Sequence, residues 1–384
     1  MTKCREPFAC GLMAIFTFVL ALGLSAGPAV AECRIGFDVG SSGVRVGWAT
    51  SASRARTSID YLADVWADNR IDTTVEATIG AFATLPREAG MPTDCAAVAG
   101  GYSAWRLAVE RGSAADVAAT LKKIHAQSNV ALFVIPQDVE GTYGYFAAQR
   151  SLGDKLRTPF ILDIGGGSMQ IASIEGGWGA ALGQKAWRKL YCRDAKGDDN
   201  AACAANPVGA DAIRTTRTLL AKDVAAAKAA LGNLDRVTAV SAPLVKAVHP
   251  VIRYLAEHKR VIGGKEDSNG FDITALSDSI RVLADKDDDA LVRYLDGCPD
   301  FGGNAVCAPR FVATLVTDML IVHAFMEGLG IRRLDLAEAD LTNVPGLLAD
   351  TRALAWSRNY GCYLTRLARQ GTRAFKSDPG TCPK

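Results

Sequence analysis

Two short apolar stretches of the chain end in the same way, and each predicts a β-hairpin. Residues 160–171 (FILDIGGGSMQI) form an apolar run with an aspartate near its end, three glycines, a serine and a second apolar run. Residues 34–48 (RIGFDVGSSGVRVGW) repeat this order of apolar run, Asp-x-Gly, hydroxyl residues and returning run. Both patterns are typical of a strand that turns sharply at glycine, with a carboxylate beside the turn.

Glycine-rich turns of this kind can bind anions. Their backbone N–H groups can approach an anion closely because glycine has no Cβ atom. An aspartate beside such a turn suits a divalent cation bound to phosphate. One Asp-x-Gly-Gly-Gly turn has little specificity, since an ordinary hairpin has the same sequence. The repetition predicts two similar half-domains that face one phosphate chain.

The rest of the chain alternates between the apolar periods of strands and helices. Apolar runs predict strands at 95–100, 130–135, 235–241 and 331–336. Helical spacing predicts helices at 75–89, 117–126, 209–231, 273–283 and 309–329. We expect a further β-like stretch over 57–67 and a polar loop over 186–207. Strands that alternate with helices in both halves predict an α/β fold with parallel strands.

The N-terminus has the pattern of a secretory signal peptide. Lys3 and Arg5 precede an apolar run over 11–24, and residues 29–31 (AVA) form a small-x-small cleavage site. The run is short for a membrane span, although a retained anchor helix is the alternative. We predict a signal peptide over 1–31, a secreted or periplasmic protein, and no membrane span after cleavage, because no later segment is expected to be long and apolar enough.

Length and composition are those of a soluble protein with two domains. The chain has 384 residues, of which 49% are hydrophobic and 22% charged. Thr158-Pro159 marks the predicted boundary, with domains over 32–157 and 158–384. The net charge of +2 gives no case for a duplex nucleic-acid surface. A polyanionic ligand therefore needs positive charge that is concentrated locally.

Eight of the ten cysteines remain after removal of the signal peptide, which contains Cys4 and Cys10. An even number in an exported chain favours disulfides, and the sequence has no Cys-x-x-Cys pair to support a zinc site. Three pairs are close in sequence within polar, turn-rich stretches, and the two cysteines left over each precede a predicted strand. Many connectivities are open; the predicted pairs are Cys33–Cys95, Cys192–Cys203, Cys298–Cys307 and Cys362–Cys382.

The paired hairpins resemble the phosphate-binding loops of the actin/hexokinase/Hsp70 superfamily. Within it, the chain is most similar to the exopolyphosphatase and guanosine-pentaphosphate phosphatase (Ppx/GppA) family. Residues 38–45 resemble that family's first loop, and residues 163–168 match its second loop. Residues 103–108 (SAWRLA) and 330–348 resemble two further segments. The resemblance implies two RNase H-like domains of the actin-like ATPase type, with a cleft between them.

A second resemblance concerns the substrate. Residues 38–45 and 140–145 (EGTYGY), together with Gln170, are also similar to the secreted apyrases, which are nucleoside triphosphate diphosphohydrolases. Export and disulfides fit apyrases better than they fit the cytosolic exopolyphosphatases. The chain departs from the exopolyphosphatases at 240–243 (VSAP), where Gly-Gly-Thr is usual, and at Tyr102, where threonine is usual. Polyphosphate and nucleotides therefore stay alternative substrates.

Asp38 and Asp163 are the predicted metal ligands. We expect them to face each other across the cleft and to hold a hydrated Mg²⁺ or Ca²⁺, mostly through water. The alternative is that each carboxylate caps the backbone of its own hairpin. The predicted phosphate ligands are backbone N–H groups, with two serine hydroxyls as further donors: Ser41, Ser42, Gly43, Gly166, Gly167 and Ser168.

Glu140 is the predicted general base, since a carboxylate at the mouth of the helix between the halves can orient and deprotonate water. Asp138 is its rival, and a helix-start carboxylate that favours the dipole is the alternative. Arg106 is predicted to hold a phosphate oxygen. Gln170 is predicted to hold the attacking water, whereas we expect Arg45 to be structural.

Together these residues predict a secreted, metal-dependent phosphoanhydride hydrolase of the exopolyphosphatase type. The alternatives are an apyrase-like nucleotide hydrolase and a non-catalytic protein that binds polyphosphate or nucleotide. The sequence has no Gly-x-Ser-x-Gly motif, and its four histidines are scattered, so an acyl-transfer triad is not indicated. The sequence does not specify the oligomeric state.

Overall fold

A computed structural model describes residues 33–48, 55–92, 94–200, 202–258, 260, 263–296, 298, 309–337 and 341–382. These residues form two β-sheets whose strands are connected by helices, so the predicted α/β fold is confirmed. The predicted signal peptide over 1–31 lies outside the described residues.

The first sheet contains five strands. They are β1 (Arg34–Val39), β2 (Gly43–Gly47), β3 (Ala55–Ser58), β4 (Ala96–Gly101) and β5 (Ala131–Val134). Their order across the sheet is β3-β2-β1-β4-β5. Strand β2 runs antiparallel to both of its neighbours, β1 and β3, whereas β1, β4 and β5 are parallel. The helices of this part are α1 (Tyr61–Asp68), α2 (Val75–Glu88), α3 (Ala104–Arg111), α4 (Ala114–Ser128) and α5 (Gln137–Leu152).

The second sheet repeats this arrangement. Its strands are β6 (Ile161–Ile164), β7 (Met169–Ala172), β8 (Gly177–Ala180), β9 (Arg236–Ala239), β10 (Glu266–Asp267), β11 (Gly270–Asp272) and β12 (Arg333–Leu336). Strands β8, β7, β6, β9 and β12 lie in the same order, with the same directions, as the five strands of the first sheet. β11 and β10 extend the edge beside β12. The predicted internal repeat is therefore present in the topology.

The helices that follow the second hairpin contribute side chains to the cores of both sheets. They are α6 (Gln184–Lys196), α7 (Ala212–Leu219), α8 (Ala221–Leu231), α9 (His249–Glu257), α10 (Ile273–Leu283), α11 (Asp288–Tyr294), α12 (Pro309–Leu329), α13 (Val344–Ala349), α14 (Thr351–Arg358) and α15 (Tyr360–Gln370). Helix α10 has the predicted bounds, and it begins where Asp272 accepts a hydrogen bond from the N–H of Ala275.

Each sheet has its own hydrophobic core, and the chain returns to the first core at its C-terminal end. Side chains of α13, α14 and α15 pack with those of the first sheet, among them Leu347, Trp356 and Tyr363. A Cβ atom on Gly36 of β1 would lie 2.7 Å from Val344, so this contact needs glycine. The division between residues 157 and 158 stays a prediction, but the first core draws on residues from both sides of it.

Two expected segments differ in the structure. Only the first two residues of the stretch over 57–67 belong to a strand, β3. Helix α1 follows because Asp60 caps it and Tyr61, Leu62 and Val65 turn inward at helical spacing. The predicted loop over 186–207 begins as helix α6, which buries Trp187, Tyr191 and Cys192 on one face. In both places the burial of apolar side chains in the folded protein favours a helix over the strand or loop that the local sequence predicted.

Helix α12 corrects a further expectation. Its residues Phe311–Leu329 are long and apolar enough to cross a membrane by length and composition, although no later segment was expected to be. Most of this helix is buried in the core of the second sheet, where its apolar side chains pack against α6 and α10.

Three of the four predicted disulfides are present. Cys33 joins Cys95, and the two residues precede the parallel neighbours β1 and β4, as expected. The bridges Cys192–Cys203 and Cys362–Cys382 are also formed. The fourth pair includes Cys307, which lies outside the described residues, so this pair stays a prediction.

Candidate active site

The two glycine turns face each other across a cleft of about 380 Å³. A Cβ atom built on Gly166 would lie 2.6 Å from Ser41 Oγ and 3.1 Å from Ser42 Oγ, so the turns lie within contact distance. Polar side chains and backbone line most of the cleft. The lining includes Asp38, Ser41, Ser42, Gly43, Arg45, Arg56, Thr57, Tyr102, Ser103, Glu140, Asp163, Gly166, Ser168 and Asn343.

The two turns are built alike. In the first, the N–H of Gly40 donates to the carbonyl of Gly43 at 3.0 Å, and in the second, the N–H of Gly165 donates to the carbonyl of Ser168 at 2.9 Å. Among the described residues, five intervening backbone N–H groups donate to no backbone carbonyl. These belong to Ser41, Ser42, Gly166, Gly167 and Ser168. Such groups are suited to bind an anion.

Helix α6 supports the second turn from behind. The N–H groups of Gln184 and Lys185, in its first turn, donate to the carbonyls of Gly165 and Gly166 at 2.9 and 2.8 Å. A Cβ atom on Gly183 would lie 2.4 Å from both the carbonyl oxygen of Gly165 and the nitrogen of Ser168. Glycine is therefore required at 183, since its substitution would displace the turn.

Asp38 and Asp163 occupy equivalent positions near the carboxyl ends of β1 and β6, and both line the cleft. Burial raises the pKa of Asp38, while Arg45 and the N–H of Asn343, which donates to Asp38 Oδ2 at 2.9 Å, lower it. Burial raises the pKa of Asp163 to about 6; Arg45 lowers it and the neighbouring Asp38 raises it. Two buried carboxylates that repel each other are suited to share a cation.

Arg45 is placed where it acts on both carboxylates. It lies opposite Asp38 in the β1–β2 pair, and its Nη1 donates to the carbonyl of Leu341 at 2.9 Å. The equivalent position in the second hairpin, opposite Asp163, is Gln170. Gln170 is buried and donates through Nε2 to Ser168 Oγ at 3.0 Å. Its role in holding the attacking water stays a prediction.

Glu140 and Arg106 form a buried ion pair in which Arg106 Nη2 lies 2.6 Å from Glu140 Oε2. Arg106 Nη1 also donates to the carbonyl of Ile135 at 3.0 Å. Burial raises the pKa of Glu140 to about 7, Arg106 lowers it, and Asp163 and Asp38 raise it. A carboxylate with a pKa near neutrality, at the wall of the cleft, is suited to accept a proton.

Glu140 lines the cleft, whereas Asp138 and Arg106 do not. Asp138 accepts a hydrogen bond from Lys376 Nζ at 2.5 Å, is half-exposed and does not contribute to the lining. Arg106 borders a smaller cavity that adjoins the cleft at Ser103 and Ser168. The geometry thus makes Arg106 a positioning residue for Glu140, and its contact with phosphate stays a prediction.

Sequence reasoning missed several residues of the cleft. Ser103 has φ of 33°, in the left-handed region, at the start of α3. It begins the family-like segment over 103–108, but the sequence assigned it no role in the site. Asn343 reaches Asp38 from the far end of the chain. Arg56 lies opposite Arg45 in the β2–β3 pair. A prediction of Ala55–Ser58 as a strand separate from α1 would have placed Arg56 at this position.

Comparison with known proteins identifies the fold. No protein-family profile and no curated protein matches the sequence. Among solved structures, the Ppx/GppA family member of Aquifex aeolicus matches with a TM-score of 0.55 and 14% identity, over 82% of this chain and 95% of that chain. An exopolyphosphatase from Cytophaga hutchinsonii gives a TM-score of 0.56 and 12% identity over 82% and 96%. An exopolyphosphatase-like protein gives 0.56 and 16% over 85% and 99%. The chain therefore has the two-sheet, actin-like α/β fold of the Ppx/GppA structures, as its paired Asp-x-Gly hairpins predicted.

Proposed function

We propose that the protein is an exported, metal-dependent phosphoanhydride hydrolase that releases orthophosphate from the end of a polyphosphate chain. One observation carries the proposal: two equivalent carboxylates, Asp38 and Asp163, share a cleft with two anion-binding turns and the buried Glu140–Arg106 pair. Cleavage of a phosphoanhydride requires positioning, charge neutralisation and an in-line water. This cleft has a candidate group for each requirement.

The two turns bind successive phosphate groups in this proposal. The backbone N–H groups of Ser41 and Ser42 hold one phosphate, and those of Gly166, Gly167 and Ser168 hold the next. The hydroxyls of Ser41 and Ser168 add donors. The support is the close approach of the turns and the donors that they leave unused by backbone carbonyls.

Asp38 and Asp163 hold a divalent cation, Mg²⁺ or Ca²⁺, mostly through water. No group of three or more His, Cys, Asp or Glu side chains able to hold a metal occurs among the described residues. Two carboxylates and substrate phosphates fit Mg²⁺, because it retains several of its waters and seldom requires an all-protein cage. When bound, the cation neutralises charge on the phosphate oxygens.

Glu140 removes the proton of the attacking water. The water oxygen forms a bond to the terminal phosphorus while the bond from that phosphorus to the bridging oxygen breaks, and the bridging oxygen leaves with the electron pair. Glu140 takes the water proton, and Arg106 fixes the orientation of the carboxylate through the 2.6 Å contact. Released orthophosphate and the shortened chain are the products.

A phosphate chain fits the cleft better than a nucleotide. Among the described residues that line it, the sole aromatic ring is that of Tyr102, which is itself buried. Residues Val240 and Ser241, at the departure from the usual Gly-Gly-Thr, are also buried. A base therefore finds no exposed ring for stacking, whereas the phosphates find many polar groups. The structures named exopolyphosphatase that share this fold support the same choice, and the three disulfides suit an exported protein.

Phosphate release by the purified protein with Mg²⁺ tests this function. We expect release from polyphosphate, much less from ATP, ADP and guanosine pentaphosphate, and a fall of about 10³-fold in kcat for Glu140→Gln. Asp138→Asn, a carboxylate of the same helix that does not line the cleft, is the matched control and retains full activity. Preference for ATP and ADP would favour the apyrase-like alternative, and Glu140→Gln with most of its turnover would refute the base.

A further inference from the structure

Tyr102 has a buried hydroxyl at the wall of the cleft. Tyr102 lines the cleft, although the residue is only 1% exposed, and its Oη has no hydrogen-bond partner among the described residues. A buried hydroxyl without a partner is unfavourable, because it loses its hydrogen bonds to water without replacement. A group that enters the cleft can supply the missing partner.

The backbone fixes where this hydroxyl lies. The N–H of Tyr102 donates to the carbonyl of Val39 at 3.0 Å, and its carbonyl accepts from Trp105 at the start of α3. The ring folds back over Gly100, where a Cβ atom would lie 2.4 Å from the hydroxyl oxygen. Gly100 is the register partner of Asp38 in the parallel β1–β4 pair. The hydroxyl therefore lies beside the strand end that carries Asp38.

The surroundings keep this hydroxyl protonated. Burial raises the pKa of Tyr102 well above its usual value, and Asp38, Tyr143 and Glu140 raise it further, while Arg106 lowers it. A tyrosine hydroxyl is protonated at neutral pH and can donate one hydrogen bond. Its neighbours are the carboxylates assigned to the metal and to the base.

We propose that Tyr102 Oη donates a hydrogen bond to a non-bridging oxygen of the terminal phosphoryl group. The inference rests on the proposed function, because it uses the same cleft and the same end of the chain. It adds a donor that neither turn supplies. Since charge spreads over the non-bridging oxygens during transfer, a donor aimed at them favours the transition state.

Removal of the hydroxyl alone tests the proposal. Tyr102→Phe retains the ring over Gly100, so the fold is preserved. We expect kcat/KM for polyphosphate with Mg²⁺ to fall about 10- to 100-fold. Binding of tripolyphosphate, measured by calorimetry on a Glu140→Gln background to slow hydrolysis, is expected to weaken about 10-fold.

Tyr363→Phe is the matched control. Tyr363 is equally buried, but its hydroxyl accepts a hydrogen bond from Val134 N at 2.8 Å in the first core. Its loss leaves that N–H without a partner, so we expect Tm to fall by about 1 to 4 °C with unchanged affinity for tripolyphosphate. Tyr102→Phe removes an unpaired group, so we expect its Tm to be unchanged or higher. The two variants therefore separate a structural role from a binding role.

Each outcome decides a different point. Equal affinity and equal kcat/KM for Tyr102→Phe and wild type would overturn this inference and leave the proposed function standing. Binding without hydrolysis by the wild type would overturn the hydrolytic function. The ratio of the tripolyphosphate affinities of wild type and Tyr102→Phe would then decide the inference about Tyr102. A wild-type protein that does not bind tripolyphosphate with Mg²⁺ would overturn both.

Discussion

The two glycine turns have the same hydrogen bond and the same position in their sheets, but their surroundings differ. The first turn contains two serines, and the carbonyl of Ser42 accepts a hydrogen bond from the N–H of Ile59, which directly follows β3. The second contains three glycines and rests on the N-terminus of α6. Opposite the two aspartates lie Arg45 in the first hairpin and Gln170 in the second.

The two halves share the features that the repeat provides and differ in the residues around them. The repeat places a carboxylate and a set of N–H donors on each side of one cleft. The differing residues divide the work: Arg45 lowers the pKa of both carboxylates, whereas Gln170 holds the Ser168 hydroxyl. We infer that the two carboxylates contribute equally to the function, whereas the residues opposite them, Arg45 and Gln170, contribute unequally.

The largest expected effect comes from either carboxylate. Asp38→Asn and Asp163→Asn are each expected to lower kcat for polyphosphate by about 10³-fold, because each removes half of the cation's protein ligands. Phosphate release at saturating substrate measures this. Retention of Mg²⁺-dependent activity by one variant alone would show that the halves are not equivalent.

Gly183→Ala is expected to have the next largest effect. It tests the support that α6 gives to the second turn, which differs from the surroundings of the first turn. Its Cβ atom would meet backbone atoms of the second turn at 2.4 Å, so the turn must move. We expect kcat/KM to fall by about 100-fold. The control is Gly80→Ala in α2, where a Cβ atom meets nothing within 4 Å and only stabilises the helix. If both variants were fully active, the support by α6 would be irrelevant to the site.

Arg45→Gln tests the asymmetry through pH. Without Arg45 the pKa of Asp163 rises above about 6, so more of this carboxyl is protonated at pH 7. We expect about 10-fold lower activity at pH 7 and a higher Mg²⁺ requirement, with both defects reduced at pH 9. Arg45→Lys, which retains the charge, is expected to restore most of the wild-type profile. A defect that is independent of pH would indicate that Arg45 acts through its bond to Leu341 only.

The smallest expected effect is on stability. The folded-state pKa of Asp163, about 6, lies above its unfolded value, so the stability linked to this group is present at low pH and is lost as pH rises through about 6. Asp163→Asn is therefore expected to raise Tm of the metal-free protein by about 1 to 3 °C at pH 8, with a smaller gain at pH 5. Thermal denaturation at the two pH values measures this. A lower Tm at pH 8 would mean that Arg45 outweighs burial.

The sequence predicted those parts of the site that depend on local pattern. The hairpins that carry Asp38 and Asp163 were predictable because each needs glycine at its turn, and α10 and α12 were predictable from their apolar spacing. The segment over 57–67 was misjudged because its Tyr and Val residues favour strands, whereas the structure caps a helix there at Asp60. Local preference is weak where burial offers a better arrangement.

The remaining parts depend on contacts between distant residues. No sequence pattern indicates that Arg106 pairs with Glu140, and its chemistry predicted a contact with phosphate instead. The C-terminal helices return to the first core and bring Asn343 to Asp38, which no periodicity indicates. The unpaired hydroxyl of Tyr102 became visible only when its neighbours were known.

The central claim is that Asp38 and Asp163, one from each half, hold a single cation on the phosphate chain. Calorimetry of tripolyphosphate binding with and without Mg²⁺ tests it for the wild type, the two Asp→Asn variants and their combination. The account predicts that either single substitution abolishes the gain in affinity that Mg²⁺ provides and that the double variant loses nothing more. A gain that survives in a single variant, or losses that multiply in the double variant, would contradict it.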